Sequence, residues 1–347
     1  MKILIIVPKI DNNGPVKGAI ALLKGLRSKD IDAIILPLEK GSNDPYLSGE
    51  SNDLSNKSSF LSKIKKLKEI VNDFKESNHK TVIISFCFKP DILVFLSGLS
   101  KISITSLRGN LIQNYSMDYG ILGKLLALIH YYISSKHFRI VVLNSSMAHA
   151  LRHYKKKLFV IENFIDEPPF DYENKSSKVL EFIFVGGLTK RKAIVELIDI
   201  FKEISEEGYQ LKLNVFGDGP ERNKILKKIK EYNLEEIIIL HGVVDDIFKH
   251  FSYSDVFVLP SYSEGTSRAA MESLYAGLPC IMRGVDSNHE LISSEDQGIL
   301  CNSKKQFKNA IKNYIDNPLT QKSCLLRPPY RQEIGTNKYL DIINSIK

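Results

Sequence analysis

Short apolar, β-branched runs alternate with helix-length amphipathic segments along almost the whole chain, and this alternation limits the fold more than any other feature. KILIIVP (2–8), IDAIILPL (31–38), KTVIISFCF, KISITSLR and RIVVLN in the first half, then VLEFIFVGG, LKLNVFG, IIILHGVV and DVFVLP in the second, read as strands buried on both faces. Between two of them, Ile194, Leu197, Ile198, Phe201 and Ile204 recur at helical spacing and mark one buried face. Strands and helices in this alternation join by right-handed crossovers into parallel sheets. The polar, proline-bearing stretch DEPPFDYENKSSK (166–178) interrupts the pattern as an interdomain linker would. The expected architecture is α/β, with two Rossmann-like, doubly wound parallel-sheet domains. The first covers 1–166 and the second 179–324, with a linker at 167–178.

Composition supports two cores: 347 residues, 43% hydrophobic and 25% charged. The apolar start MKILIIVP is too short to span a membrane, so neither a signal peptide nor a spanning helix is expected. Four scattered cysteines without metal-ligand spacing suit a reducing cytoplasm, and the eight histidines show no metal-site pairing. Asp30 and Asp32 form a D-x-D at the start of a strand, where polar residues are ordinary. No metal is therefore expected.

Charge is uneven. Residues 1–166 hold 24 Lys+Arg against 14 Asp+Glu, and residues 167–347 hold 24 against 26. A basic first half facing a near-neutral second half points to an anionic surface or ligand. No DNA- or RNA-binding motif accompanies it, so nucleic acid is not the expected partner.

The densest chemistry lies in Asp255–Ile281, DVFVLPSYSEGTSRAAMESLYAGLPCI. It reads as strand, polar loop and then a helix capped by Thr266 or Ser267, running to about Ala276 and stopped by Gly277 and Pro279. The first turn of a helix presents unpaired N–H groups and partial positive charge, so Glu264–Ser267, with Gly265 allowing close backbone approach, is suited to hold an anion; the alternative is that Glu264 caps a turn and Glu272 is a solvated helix residue. Glu264 before the helix and Glu272 within it flank that site. A nucleotide sugar, with hydroxyls on both sides of a diphosphate, is a ligand of that kind.

Glu264 and Glu272 stand in the context P-S-x-S-E-G-…-E-S-L-x-A-G-x-P, which resembles the signature of glycosyltransferase family 4, the retaining nucleotide-sugar (group 1) enzymes. FVGGLTKRKAIVELIDIF resembles the family string V-G-R-L-x-x-x-K-G, with Gly186, Leu188 and Lys192 in register. FGDGPERNKI resembles its G-D/E-G-P string, with Gly217 letting the backbone approach a ligand and Pro220 beginning a helix. HGVVDDI resembles the segment lining the nucleobase, with Val243 or Val244 against the base. The resemblance implies a GT-B fold whose two domains face a central cleft, and a tail (about 325–347) that returns to the first domain. It also implies that Glu264 contacts the transferred sugar, Glu272 the donor ribose and Lys192 the diphosphate. Whether transfer runs by front-face substitution or through Glu264 as nucleophile stays open.

The chain departs from the family at three places. Gly187 occupies the position of a diphosphate-binding arginine, so Lys190 or Arg191 is expected to supply that charge. Arg108 and Asn110 stand where many members carry a sugar-contacting histidine. Asn163-Phe164-Ile165-Asp166 matches an Asn-Gly-Ile/Val-Asp hinge string with Phe for Gly. After the first strand the dinucleotide fingerprint is missing, and Gly14 is the residue expected near the donor.

These readings imply a metal-independent hexosyl- or N-acetylhexosaminyltransferase, with UDP the favoured donor base. The expected acceptor is a polyprenyl-diphosphate-linked glycan at the inner face of the cytoplasmic membrane, in surface polysaccharide assembly. Arg108 or Lys124 would meet the lipid diphosphate. The competing readings are a nucleotide-sugar epimerase of the same fold, a nicotinamide oxidoreductase and a non-catalytic sugar-nucleotide binder.

Overall fold

The computed structural model describes residues 1–11, 13–41, 54–171, 179–285, 288–318 and 323–346. Most of the expected linker, and most of the Ser-, Asn-, Asp- and Gly-rich stretch at 40–60 that reads as a long loop, lies outside the described residues. The chain divides into two compact units, one of Met1–Asp166 with Pro328–Lys347, the other of Glu167–Arg327.

In the first unit the elements run β1 (Lys2–Lys9), α1 (Gly14–Arg27), β2 (Asp32–Glu39), α2 (Phe60–Glu76), β3 (Thr81–Phe86), α3 (Phe88–Leu96), β4 (Ser103–Ser106), α4 (Leu111–Lys136), β5 (Arg139–Val142), α5 (Ser145–Ala150) and β6 (Leu158–Val160). The six strands form a parallel sheet in the order β2-β1-β3-β4-β5-β6. One face of the sheet buries Ile3, Ile5, Val82 and Ile84 against Val16, Leu22 and Leu26 of α1. The opposite face buries Leu4, Ile6 and Ile83 against Leu67, Ile70 and Val71 of α2. Burial on both sides is what the uninterrupted apolar runs require. Leu61, although in phase with Leu67 and Val71, stands 77% exposed in the first turn of α2. Asp32 of the D-x-D pairs with Lys2 at 2.8 Å across β1 and β2.

Asn13 caps α1, its side chain accepting from Val16 N at 3.0 Å, and Pro15 occupies the first turn, where its missing N–H costs nothing. The last helix, α12 (Gln332–Asn344), packs on α1 and buries Tyr339, Ile342 and Ile343 in the first unit's core. The Tyr339 hydroxyl lies 2.9 Å from Ser106 Oγ. Phe164, the residue in place of the hinge glycine, is buried here, edge-on to Tyr339 and against Gly335.

Helix α4 is not a straight rod. Gly120 takes φ +62°, ψ −136°, a left-handed break open to glycine. The rings of Tyr115 and His130 then stack with centroids 6.0 Å apart. In a continuous helix the two residues would be separated by roughly 22 Å along the axis. The two legs of α4 therefore fold back on each other as a hairpin.

In the second unit the elements run β7 (Leu180–Val185), α6 (Ile194–Glu206), β8 (Leu211–Phe216), α7 (Arg222–Glu231), β9 (Ile238–Gly242), α8 (Phe248–Phe251), β10 (Val256–Leu259), α9 (Arg268–Tyr275), β11 (Cys280–Arg283), α10 (Asn288–Leu291), β12 (Gly298–Cys301) and α11 (Lys304–Asp316). The sheet is again parallel, in the order β12-β11-β10-β7-β8-β9. All five expected positions of α6 are buried, with Ile200 in addition. Pro220 stands in the turn before α7, which begins at Arg222 rather than at the proline. The start of the linker is fixed to this unit by a hydrogen bond from the Tyr275 hydroxyl to Pro168 O, 2.7 Å.

Candidate active site

The second sheet reverses direction between β7 and β10: β8 and β9 lie on one side of that pair, β11 and β12 on the other. In sheets of this kind, ligands bind outside the carboxyl ends of the strands at the reversal. Two segments emerge there. Gly186–Ala193 follows β7, and Pro260–Ser267 follows β10.

These two segments are joined. Tyr262 N donates to Arg191 O at 2.9 Å, and Arg191 Nη1 donates to Ser263 O at 2.7 Å. Lys192 Nζ donates to Glu264 Oε1 at 2.6 Å, with Arg191 Nη1 3.8 Å from the second carboxylate oxygen. Glu264 is buried. Burial by itself raises its carboxyl pKa, but the charges of Lys192 and Arg191 and the hydrogen bond from Lys192 outweigh that and hold the pKa below the ordinary carboxylate value. The loop is braced from outside by Glu196, whose Oε2 accepts from both the Tyr262 hydroxyl and Arg283 Nη2 at 2.8 Å.

Ser267 caps α9, accepting from Ala270 N at 3.3 Å, and Gly277 ends the segment at φ +79°. Thr266 is buried, its hydroxyl donating to Gly265 O at 2.9 Å. Glu272 is buried one turn into the helix and accepts from Arg268 Nε at 2.8 Å. Arg268 is thus a site residue beyond the candidates named from the sequence, and its spacing four residues before Glu272 is the signal that marks the pair.

Gly217 takes φ +127°, and a Cβ there would lie 2.0 Å from Gly186 O, so glycine is obligatory where the β8 end meets the β7 end. Gly187, at the expected arginine position, is exposed and has room for a side chain, its nearest neighbour being Asp218 O at 3.8 Å from an added Cβ. Arg191 reaches Glu264 instead, while Lys190 stands exposed on the turn. Val243 and Val244 follow β9, the first exposed and the second half-buried. Ala193, where the string has glycine, takes φ +55°.

The first-unit candidates are placed differently. Gly14 opens α1 with nothing crowding its Cα; Gly18 is the constrained glycine, since a Cβ there would collide with Arg108. The Arg108 guanidinium donates to Asn163 Oδ1 and Ser106 Oγ and sits over the Phe86 ring at 5.3 Å. Asn110 caps α4, accepting from Gln113 N at 3.2 Å. Lys124 is exposed on the second leg of α4. Among the described residues no group of three His, Cys, Asp or Glu side chains is arranged to hold a metal ion, and no helix is long and apolar enough to cross a membrane.

Residues 168–338 match the family model described as glycosyl transferases group 1, a span that contains the whole Lys192–Glu264 constellation. The chain belongs to the group 1 glycosyltransferases. It is 24% identical to the amylovoran biosynthesis glycosyltransferase of Erwinia amylovora over 99% of both chains. It is 31% identical to the UDP-Gal:alpha-D-GlcNAc-diphosphoundecaprenol alpha-1,3-galactosyltransferase of Escherichia coli over 48% of each. The HepE protein of Anabaena, solved with UDP and glucose, superposes with a TM-score of 0.75 at 13% identity, over 99% of this chain and all of that one. The glycosyltransferase thus has the GT-B fold of two parallel-sheet units, and its relatives include enzymes of bacterial surface polysaccharide and lipopolysaccharide synthesis.

Proposed function

We propose that this glycosyltransferase moves a hexosyl or N-acetylhexosaminyl group from a UDP-sugar, with retention of configuration and without a metal, to a glycan carried on polyprenyl diphosphate. The reaction serves surface polysaccharide assembly at the inner face of the cytoplasmic membrane. The observation that carries this reading is the ion pair between half-buried Lys192 and buried Glu264 at the reversal of the second sheet, with Glu264 just before α9. Glu264, its pKa held down by its cationic neighbours, would contact the transferred sugar. An ammonium has three hydrogens, so Lys192 can hold Glu264 and still face a diphosphate. With Arg191 and the first turn of α9 it would offset the negative charge that grows on the leaving group. Glu272, held by Arg268, would take the ribose hydroxyls. The E. coli relative, whose name specifies UDP-Gal and a diphosphoundecaprenol acceptor, supports the donor and acceptor classes. The basic first half supports work at an anionic surface.

A thermal-shift series with UDP-, GDP- and ADP-sugars, followed by transfer to extracted lipid-linked acceptor in excess EDTA, tests the reading. A ligand at 100 times its Kd adds about 2.7 kcal/mol of stability. A UDP-sugar should give the largest shift, and transfer should survive the chelator. No shift with any UDP-sugar, or transfer abolished by EDTA and restored by Mg²⁺, refutes it.

A further inference from the structure

The α4 hairpin exposes an amount of apolar surface that the first unit's own fold does not explain. Ile121 is 86% and Leu122 75% exposed at its bend, and Leu125, Leu128, Ile129 and Tyr132 continue the apolar strip along the second leg. Beside this strip lies a cavity of about 480 Å³, lined by Ile112, Leu128, Tyr131, Tyr132, Leu151 and Tyr154. Asn110, Gln113 and Ser116 add polar atoms to its wall.

The hairpin is held shut from below. Asp91 is fully buried and accepts from Ser85 Oγ at 2.5 Å, Thr105 Oγ1 at 2.8 Å and His130 Nε2 at 2.8 Å. The other ring nitrogen, Nδ1, lies 3.0 Å from the Tyr115 hydroxyl, which ties the first leg to the second. Phe88 packs on the same imidazole at 4.8 Å. The groove is therefore a preformed feature and not a loose flap.

Its surroundings are cationic. Residues 111–160 contain seven Lys or Arg (Lys124, Lys136, Arg139, Arg152, Lys155, Lys156 and Lys157) and one acid, Asp118. Arg152, Lys155 and Lys156 are exposed on the segment that supplies Leu151 and Tyr154 to the cavity. A second copy packed on this face about a two-fold axis would bring those cations against themselves. An apolar chain ending in a strong anion satisfies both features at once.

We infer that the groove between the α4 hairpin and Ala150–Tyr154 binds the head-proximal isoprenoid chain of the acceptor. Arg152, Lys155 and Lys156 hold its diphosphate, and the Ile121–Leu122 bend lies against the remaining chain. This inference rests on the lipid-linked acceptor proposed above and names where that acceptor is held.

Titration calorimetry of the full chain with farnesyl diphosphate, geranyl diphosphate and inorganic diphosphate tests it, with UDP binding as a check that the chain is folded. Farnesyl diphosphate should bind at least tenfold tighter than inorganic diphosphate, with geranyl diphosphate between them. Leu128→Asp, at an exposed position, should lower farnesyl diphosphate affinity at least tenfold and leave inorganic diphosphate binding unchanged. Lys155→Glu/Lys156→Glu should weaken all three. Equal affinity for farnesyl and inorganic diphosphate, or unchanged affinity in Leu128→Asp, overturns the inference. So does a dimer that Leu128→Asp dissociates in a chain that does not bind farnesyl diphosphate. UDP-sugar turnover persisting in either failure would leave the glycosyltransferase function standing.

Discussion

The two units are built on one topology and use it for different chemistry. Each is a six-stranded parallel sheet that reverses once, between β1 and β3 in the first and between β7 and β10 in the second. At the second reversal the side chains are charged and compact: Lys192 and Arg191 close on a buried Glu264, ahead of a capped helix. Near the first, polar groups bond within the unit, buried Asp91 to Ser85, Thr105 and His130, and half-buried Arg108 to Asn163 and Ser106. What the first unit leaves exposed is the apolar hairpin and a basic segment. A shared scaffold therefore says little about function; the segments at the strand ends decide it.

Substitutions at the two reversals should separate these roles. The largest effect is expected at the second. Glu264→Gln keeps the side chain's shape but removes the charge facing Lys192, and transfer should fall at least 10²- to 10³-fold, the scale of losing one transition-state contact. UDP binding by calorimetry should change little, whereas Glu272→Ala should weaken it. Near-normal turnover in Glu264→Gln would break the contrast between a working second site and a structural first one. The same pair sets a pH signature. Because the Glu264 pKa is lowered in the folded chain, its contribution to stability is complete above the ordinary carboxylate range and is lost as pH falls through the depressed value. Acid unfolding of the wild type should therefore show a stability loss below about pH 4 that Glu264→Gln lacks.

Next in size is Asp91→Ala in the first unit. It strands two buried hydroxyls and an imidazole, and should cost about 3 kcal/mol in urea unfolding. UDP binding at temperatures below the transition should persist, since the donor site proposed above lies in the other unit. If UDP binding is lost while the chain remains folded, the two units are not the independent chemistries described above.

The smallest effect concerns backbone strain, of which each unit carries one case beside its reversal. Cys87 takes φ +74°, ψ 169° after β3, and Ala193 takes φ +55°, ψ 28° before α6. Both conformations favour glycine, so Cys87→Gly and Ala193→Gly should each raise stability by about 1 kcal/mol, read as a higher urea midpoint. Loss of stability in either would mean that its side chain supplies packing worth more than the strain it imposes.

The sequence by itself determined the class of fold and one of its sites. Strands buried on both faces must be apolar throughout, and helices that cover them must carry one apolar face, so the alternation was legible as parallel sheets, though the short strands β6 and β12 were not. The Glu264–Ser267 segment was legible for a local reason: a cap, a short helix and a glycine stop are written in adjacent residues, and Ser267 and Gly277 play those parts. Tertiary structure decided the rest. It paired Lys192 with Glu264 across 72 positions of sequence, and showed Arg191 reaching that carboxylate where Gly187 has no side chain. It gave the space against Arg108 to Gly18 and not to Gly14, and committed Asn110 to a cap. It also folded the apolar, tyrosine-bearing segment after Asn110 into a hairpin. A left-handed residue at Gly120 costs a glycine almost nothing, so the sequence carries no local signature of the reversal; contacts between residues far apart in the chain, Asp91 to His130 to Tyr115, are what select it.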